Sequence, residues 1–389
     1  MVLGLTATSL TLQAQLRTGD IVWTPLPRAG APADTAYRKG VSAAFAGLIG
    51  DHLVLAGGCN FPDRPAADGG AKRYYDDVYV LAPGTDGQAW IRAGHMPDAA
   101  AYGVALPTDK GLAFIGGTGP DGPSAGAREL RLSADGRTAQ WKDLPPLPVT
   151  VDNMAGARLG RRLYVAGGNA DGMPSRRVFS LSLDSLTAGW REETPMPGDP
   201  RVQPVAVALR HGAEMCLYVF GGFAAAAADR APSVSLTALR YVPSARRWEQ
   251  VAAPADERGE AIALGGGAGY ALGDTAALCL GGVDKDIFLA ALRREQRLAQ
   301  ARATGDDSLA VTLQAAGRDY MTHEPAWYRF NRRVLRYSAA ADRWTTVDRA
   351  DQAARAGAAL TGKGTTFYYL GGELKPGIRT PDLWRGQYR

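Results

Sequence analysis

An apolar run ending in a glycine pair recurs six times: HLVLAGG, GLAFIGG, RLYVAGG, CLYVFGG, ALCLGG and TFYYLGG, closing at Gly58, Gly117, Gly168, Gly222, Gly282 and Gly372. A second apolar run and a short turn precede each pair, as in VSAAFAGLIGD, NMAGARLGRR and GAALTGKG. After most pairs come a loop, an alternating strand, a turn and a tryptophan, at Trp90, Trp141, Trp190, Trp248 and Trp344. Pro-rich corners such as LPPLP, PMPG and HMPD lead to the next unit. One glycine pair would mean little, but six in register constrain the whole chain, because repetition at a fixed period signals stacked copies of one supersecondary unit. The glycines themselves read as scaffold that lets strand backbones pack closely and turn sharply.

Each unit holds four short strands in roughly fifty residues, which is the kelch period. The last unit is one strand short after DLWRGQYR. The N-terminal segment DIVWTPLP, around Trp23, carries the tryptophan and proline of the other fourth strands. Pairing it into the C-terminal unit removes the open edge that unpaired first and last units would expose. The expected fold is therefore all-β: a six-bladed kelch-type β-propeller over residues 20–389, closed by the N-terminal strand, with a partly helical insert at about 284–330 in blade five. Residues 1–19 read as a signal-peptide remnant or a tail. MVLGLTATSLTLQAQ is weakly apolar, with Ala14 near a plausible cleavage point, but it lacks a basic n-region. The expectation from it is a periplasmic or secreted protein.

Composition narrows the function classes. The 389 residues are 46% hydrophobic with a net charge of +5, enough for a sizeable core. No Lys/Arg run is interleaved with aromatics, which argues against nucleic acid, and no apolar stretch is long enough to span a membrane. Cys59, Cys216 and Cys279 are too few and too widely spaced for a disulfide framework or a zinc site. The four histidines, at 52, 95, 211 and 323, share no ligand spacing, so no metal is expected. A mild positive balance suits a small anionic ligand no better than it suits none.

In an up-and-down four-stranded blade, the 1–2 and 3–4 loops share one face and the 2–3 and 4–1 loops the other. Here the former are short, as in GLIGDH and RLGRR, and the latter are long. Long loops on one side of a rigid scaffold mark its functional face. That face would carry CNFPDRPAADGGAKRYY, the segment from Val283 to about Asn331, and LGGELKPGIRTPDLW. Glu373 and Arg379 are the sharpest pair, with Pro376 and Gly377 stiffening the loop between them. A structural ion pair competes with that functional reading. Arg201 and Gln203 lie on one 4–1 crossing and Tyr102 on another. Arg201 is either a solvated corner or a fork for a carboxylate. Asn60, Asp284 and Asn331 either bind hydroxyls or cap turns, and Lys375 either contacts substrate or is solvated. Arg73, Tyr74 and Tyr75 fit packing equally well. The segment with Phe288, Leu289 and Leu292 is a lid or a decoration.

The combination of GGELKPGIRT, AYGVAL before FIGG, GGVDKDIF leading to YRFNRRVLRY, and PRVQ before a strand resembles the bacterial N-acetylneuraminate epimerases, the sialic acid mutarotases. The order of the segments and GGCNFPDRPAADGG resemble a cyclically permuted subfamily. The resemblance implies exchange of the α and β anomers of N-acetylneuraminate without metal or organic cofactor. It also implies Glu373 as catalytic base and Arg379 as its partner, and Arg201 matches an arginine in the family's comparable crossing; Gln203, Lys375, Asn60, Tyr102, Asp284 and Asn331 are candidates for the sugar site from their places on the same face. The long GGFAAAAADRAPS loop departs from the family pattern. A non-catalytic kelch scaffold for protein or glycan remains the main alternative. A sialidase is disfavoured because SADGRTAQW is a single degenerate echo of its Asp-box, and a copper oxidase because it would need a histidine cluster.

Overall fold

A computed structural model describes residues 16–82 and 89–389; most of the expected signal segment lies outside the described residues. Among the described residues six antiparallel sheets have four or more strands, each pairing its strands in the order 1-2-3-4. Sheet one holds Phe45–Ile49, His52–Ala56, Asp77–Leu81 and Ile91–His95, and the next four sheets repeat that plan. Sheet six holds Ala359–Lys363, Thr366–Leu370 and Leu383–Tyr388, and its fourth strand is Ile21–Leu26 from the other end of the chain. Trp23 pairs with Gly386 in that register, and Leu16–Thr18 adds a fifth strand outside it.

The second strand of each unit is apolar after its first residue because it is covered by sheets on both sides. Leu53 to Ala56 and Ala276 to Leu280 are all buried. Facing sheets interlock through rings: Phe45 stacks on Phe114 at 4.7 Å, and Phe220 meets Tyr337 edge-on at 5.3 Å. The repeated tryptophans have a polar task as well. Each indole N–H reaches the sheet before its own: Trp90 donates to the Pro27 carbonyl, Trp141 to His95, Trp190 to Pro145, Trp248 to Thr194 and Trp344 to Ala252, all at 2.7–2.8 Å. Trp23 does the same from sheet six, donating to the Asp348 carboxylate at 2.8 Å. A buried indole needs such a partner.

The glycine pairs let adjacent sheets approach. Gly371 and Gly372 stand at φ 59° and 99°, where side chains are strained. A Cβ on Gly371 would lie 2.4 Å from the Val41 carbonyl, which accepts the Gly372 N–H at 2.9 Å. The same contact recurs where Gly58, Gly117, Gly168 and Gly282 donate to Ala100, Val151, Arg201 and Arg355. Just beyond these carbonyls, one residue of each crossing adopts left-handed φ: Ala43, Tyr102, Asn153, Gln203, Gly266 and Gly357. Their backbones join in a circuit. Tyr102 donates to Ala43, Asn153 to Tyr102, Gln203 to Asn153, Gly266 to Gln203, Gly357 to Gly266 and Ala43 to Gly357, at 2.7–3.0 Å. The first strands and these crossings line a cavity of about 200 Å³.

Two helices interrupt sheet five after Gly282: α1, Lys285–Thr304, and α2, Asp307–Thr322. Asp284 and Asp306 cap them by accepting backbone N–H bonds, and Gly305 at φ 71° turns the chain between them. They pack through Leu298, Ala301, Ala310 and Leu313. Phe288 on α1 meets Phe223 of the sheet-four loop at 4.9 Å, while α2 touches the Ala66–Asp68 turn of sheet one. Among the described residues no helix is long and apolar enough to cross a membrane.

Candidate functional site

The loop after Gly372 is a tight β-hairpin. Glu373–Lys375 pairs with Ile378–Arg379, and Pro376 with Gly377 at φ 81° makes the turn, a dipeptide suited to a type II geometry. This places Glu373 and Arg379 directly opposite each other. Glu373 Oε1 accepts hydrogen bonds from the Gly377 N–H and Arg379 Nη1, both at 2.7 Å. Its side chain keeps 26% of its exposure, whereas that of Arg379 keeps 4%. Arg379 also donates from Nε to Ser42 Oγ at 2.9 Å and lies 5.0 Å from the Phe61 ring centre. Burial works against the guanidinium charge, but Glu373, Tyr102 and Cys59 outweigh it and hold the Arg379 pKa above its ordinary value. The arginine therefore remains a cation that orients the carboxylate and does not supply a proton.

Tyr102 completes this corner from the crossing between sheets one and two. Its φ of 63° is unusual for a bulky residue, and the backbone circuit around the six crossings holds it there. Its hydroxyl accepts from Lys72 Nζ at 3.3 Å and from Cys59 Sγ at 3.4 Å. Burial, then the neighbouring Cys59, push the phenol well above its usual pKa, although Arg379 pulls the other way. Tyr102 is thus a protonated phenol whose own O–H is free to donate. It is also close enough to Glu373 for that charge to act on it.

The remaining expected site residues fall into two groups. Gln203 joins Tyr102 at the cavity and donates to Asn153 Oδ1 at 2.6 Å. Lys375 sits on the hairpin but reaches sideways, donating to the Thr322 and His323 carbonyls at the end of α2. Four others are turned to structural tasks. Arg201 is 3% exposed and donates to the Gly221 and Thr237 carbonyls and the Thr237 hydroxyl. Arg355, in the corresponding crossing, binds the Gly371 and Asp382 carbonyls in the same manner. Burial lowers the Arg201 pKa to about 10, and its guanidinium is committed to tying a crossing to a glycine turn. Asn331 donates to Gly281 and Arg333. Asn60 bridges Ala36, Gly40 and Tyr75. Asp284 caps α1 and pairs with Arg329 at 3.1 Å. These contacts share one cause: a buried polar group close to backbone carbonyls or N–H groups is engaged by them first.

Ser42, Cys59, Phe61, Lys72 and Asn153 were missed in the sequence. A signal existed for part of this set. Ala43, Tyr102, Asn153 and Gly357 stand at the same distance before the first glycine of their pairs, so aligning the crossings identifies the positions that ring the cavity. Among the described residues, Asp76, Asp77 and His95 are a trio close enough to share a metal ion. Asp77 is already paired with Arg92 at 2.9 Å, and His95 Nδ1 lies 3.2 Å from Asp76.

The N-acetylneuraminate epimerase family profile matches residues 3–140 and 144–389. An N-acetylneuraminate epimerase of Yersinia enterocolitica is 33% identical over 244 residues, 62% of this chain and 57% of that protein. One from Yersinia pestis is 32% identical over 261 residues, covering 67% and 61%, and one from Haemophilus influenzae is 30% identical over 251 residues, covering 64% and 61%. The chain thus spans about three fifths of the length of these relatives. A solved structure described as "Structure of YjhT" overlays with a TM-score of 0.49 at 24% identity, covering 61% of this chain and 62% of that one. With the profile covering nearly every residue, the chain belongs to the N-acetylneuraminate epimerase family.

Proposed function

We propose that this protein is a mutarotase that interconverts the α and β anomers of N-acetylneuraminate by acid- and base-assisted ring opening and closure. Family membership supports the substrate, and one observation carries the chemistry. Glu373 is half-buried with Oε1 fixed by Gly377 and Arg379, while Oε2 has no hydrogen-bond partner among the described residues. A carboxylate held in this way is a positioned base. Oε2 takes the proton of the anomeric hydroxyl as the ring C–O bond breaks and the ketone forms. Tyr102 gives its phenolic proton to the departing ring oxygen. Closure on the other face of the carbonyl reverses both transfers, so the enzyme ends in its starting protonation state. Arg379 fixes the carboxylate and balances its charge throughout.

The scaffold we propose is a six-bladed kelch-type propeller closed by the N-terminal strand. The six-sheet pairing, the Ile21–Leu26 strand in sheet six and the circuit of crossing bonds support it. A cyclic permutation relative to the relatives fits matches that stop at about two thirds of this chain.

The deciding experiment follows freshly released α-N-acetylneuraminate by NMR with and without the protein. Acceleration of anomer exchange at micromolar enzyme is expected. An unchanged exchange rate rules the proposal out.

A further inference from the structure

Resting on the mutarotase reading, the geometry points to Lys72 as the residue that anchors the substrate's carboxylate. Lys72 is exposed, on the sheet-one loop, and its Nζ lies 5.9, 6.0 and 5.0 Å from the ring centres of Phe61, Tyr74 and Tyr102. Three aromatic faces attract a cation and limit its freedom. Nζ donates one hydrogen bond, to the Tyr102 hydroxyl. An ammonium has three donors, so two remain. Among the described residues no carboxylate forms a salt bridge with it, although 25 such bridges form elsewhere.

The neighbouring cations are already committed. Arg379 is nearly buried and bonded to Glu373 and Ser42. Lys375 donates to the end of α2, and Arg201 to the sheet-four turn. Arg294 lies over the Tyr320 ring at 4.6 Å. Lys72 therefore presents a preorganised, unneutralised positive charge within one hydrogen bond of Tyr102, the phenol next to the Glu373–Arg379 pair. An α-keto acid sugar carries its carboxylate on the anomeric carbon. A cation beside the proton donor is where that carboxylate would sit while the anomeric hydroxyl faces Glu373. The preorganisation matters because a lysine already held in place loses less freedom on binding.

The test compares wild type, Lys72→Met and Lys72→Arg on N-acetylneuraminate and on its methyl ester, which keeps the anomeric hydroxyl but has no carboxylate charge. Lys72→Met is expected to raise KM for the acid by about tenfold to a hundredfold, the scale of a charge-assisted hydrogen bond. Any change in kcat acts through Tyr102, which loses its Lys72 donor, and should be the same for the acid and the ester. Lys72→Arg should recover most of the KM loss, and KM for the ester should not distinguish wild type from Lys72→Met. An unchanged KM for the acid, or an equal loss for acid and ester, overturns the assignment. Calorimetric binding of N-acetylneuraminate separates it from the underlying reading. If wild type binds the sugar without accelerating exchange, the mutarotase reading fails, and a Kd weakened by Lys72→Met still upholds the anchor. If wild type neither binds nor accelerates, both fall.

Discussion

Glu373, the proposed base, is positioned by a seven-residue hairpin that does locally what most active sites need long-range folding to do. The Pro376–Gly377 turn sets it opposite Arg379, and one oxygen is bound while the other is left open. Glu373→Gln keeps the shape and can still accept at Oε1, but it cannot take a proton. Its kcat should fall by about a hundredfold to ten-thousandfold, the usual contribution of a general base, with an unchanged circular dichroism spectrum. Tyr102→Phe removes the proposed acid and should lower kcat more than it raises KM. A loss confined to KM would assign Tyr102 to binding alone. The identity of Glu373 and Arg379 was legible in the sequence because their partnership is local. The roles of Arg201, Asn60 and Asn331 were not, because each is decided by which carbonyls come within reach.

At the scale of elements, the helical insert links three loops. Its α2 end receives the Lys375 ammonium at the Thr322 and His323 carbonyls, where the helix dipole favours a cation. Lys375→Met should cost about 0.3–1 kcal/mol of local stability. The expected signature is faster amide exchange in the last turn of α2 while the strand amides of sheet six are unaffected. Uniformly faster exchange across the protein would contradict a local tie. The sequence indicated helix here from its charged, apolar-spaced run after Asp284. It did not show that the insert divides into two helices at Gly305, or that the second one meets the Glu373 hairpin.

For the whole molecule, stability depends on ties between sheets. Trp23→Ala removes a fully buried side chain from the strand shared by the two chain ends, and its N–H bond to Asp348. A loss of about 3–5 kcal/mol is expected in denaturant unfolding. A second tie is sensitive to pH. Glu193 accepts from Ser180, Arg191 and, across to sheet four, the Tyr241 hydroxyl at 3.0 Å. Burial raises its pKa, but these donors outweigh that and hold it below the ordinary value. A depressed folded-state pKa contributes stability above the unfolded value of about 4.3, and this is lost as pH falls through the folded one. Glu193→Gln should therefore lower Tm at pH 7, with the gap to wild type closing below about pH 4. A gap that stays constant from pH 7 to pH 3 would mean that the carboxylate charge is not what stabilises.

The repeat of glycine pairs and tryptophans determined by itself that this chain builds six similar sheets, because close backbone approach and an indole reaching the preceding sheet are needed once per unit. The local stretch GELKPGIRT determined the contact between Glu373 and Arg379, which a single turn brings together. Only the tertiary structure decided that Tyr102 and Cys59 lie beside that pair, that Lys72 reaches Tyr102, and that Arg201 is turned toward backbone carbonyls. Those contacts join loops from different sheets. Their geometry follows from how the sheets pack around the crossings, where a long-range approach of a few ångströms decides whether a polar side chain meets a ligand or its own backbone.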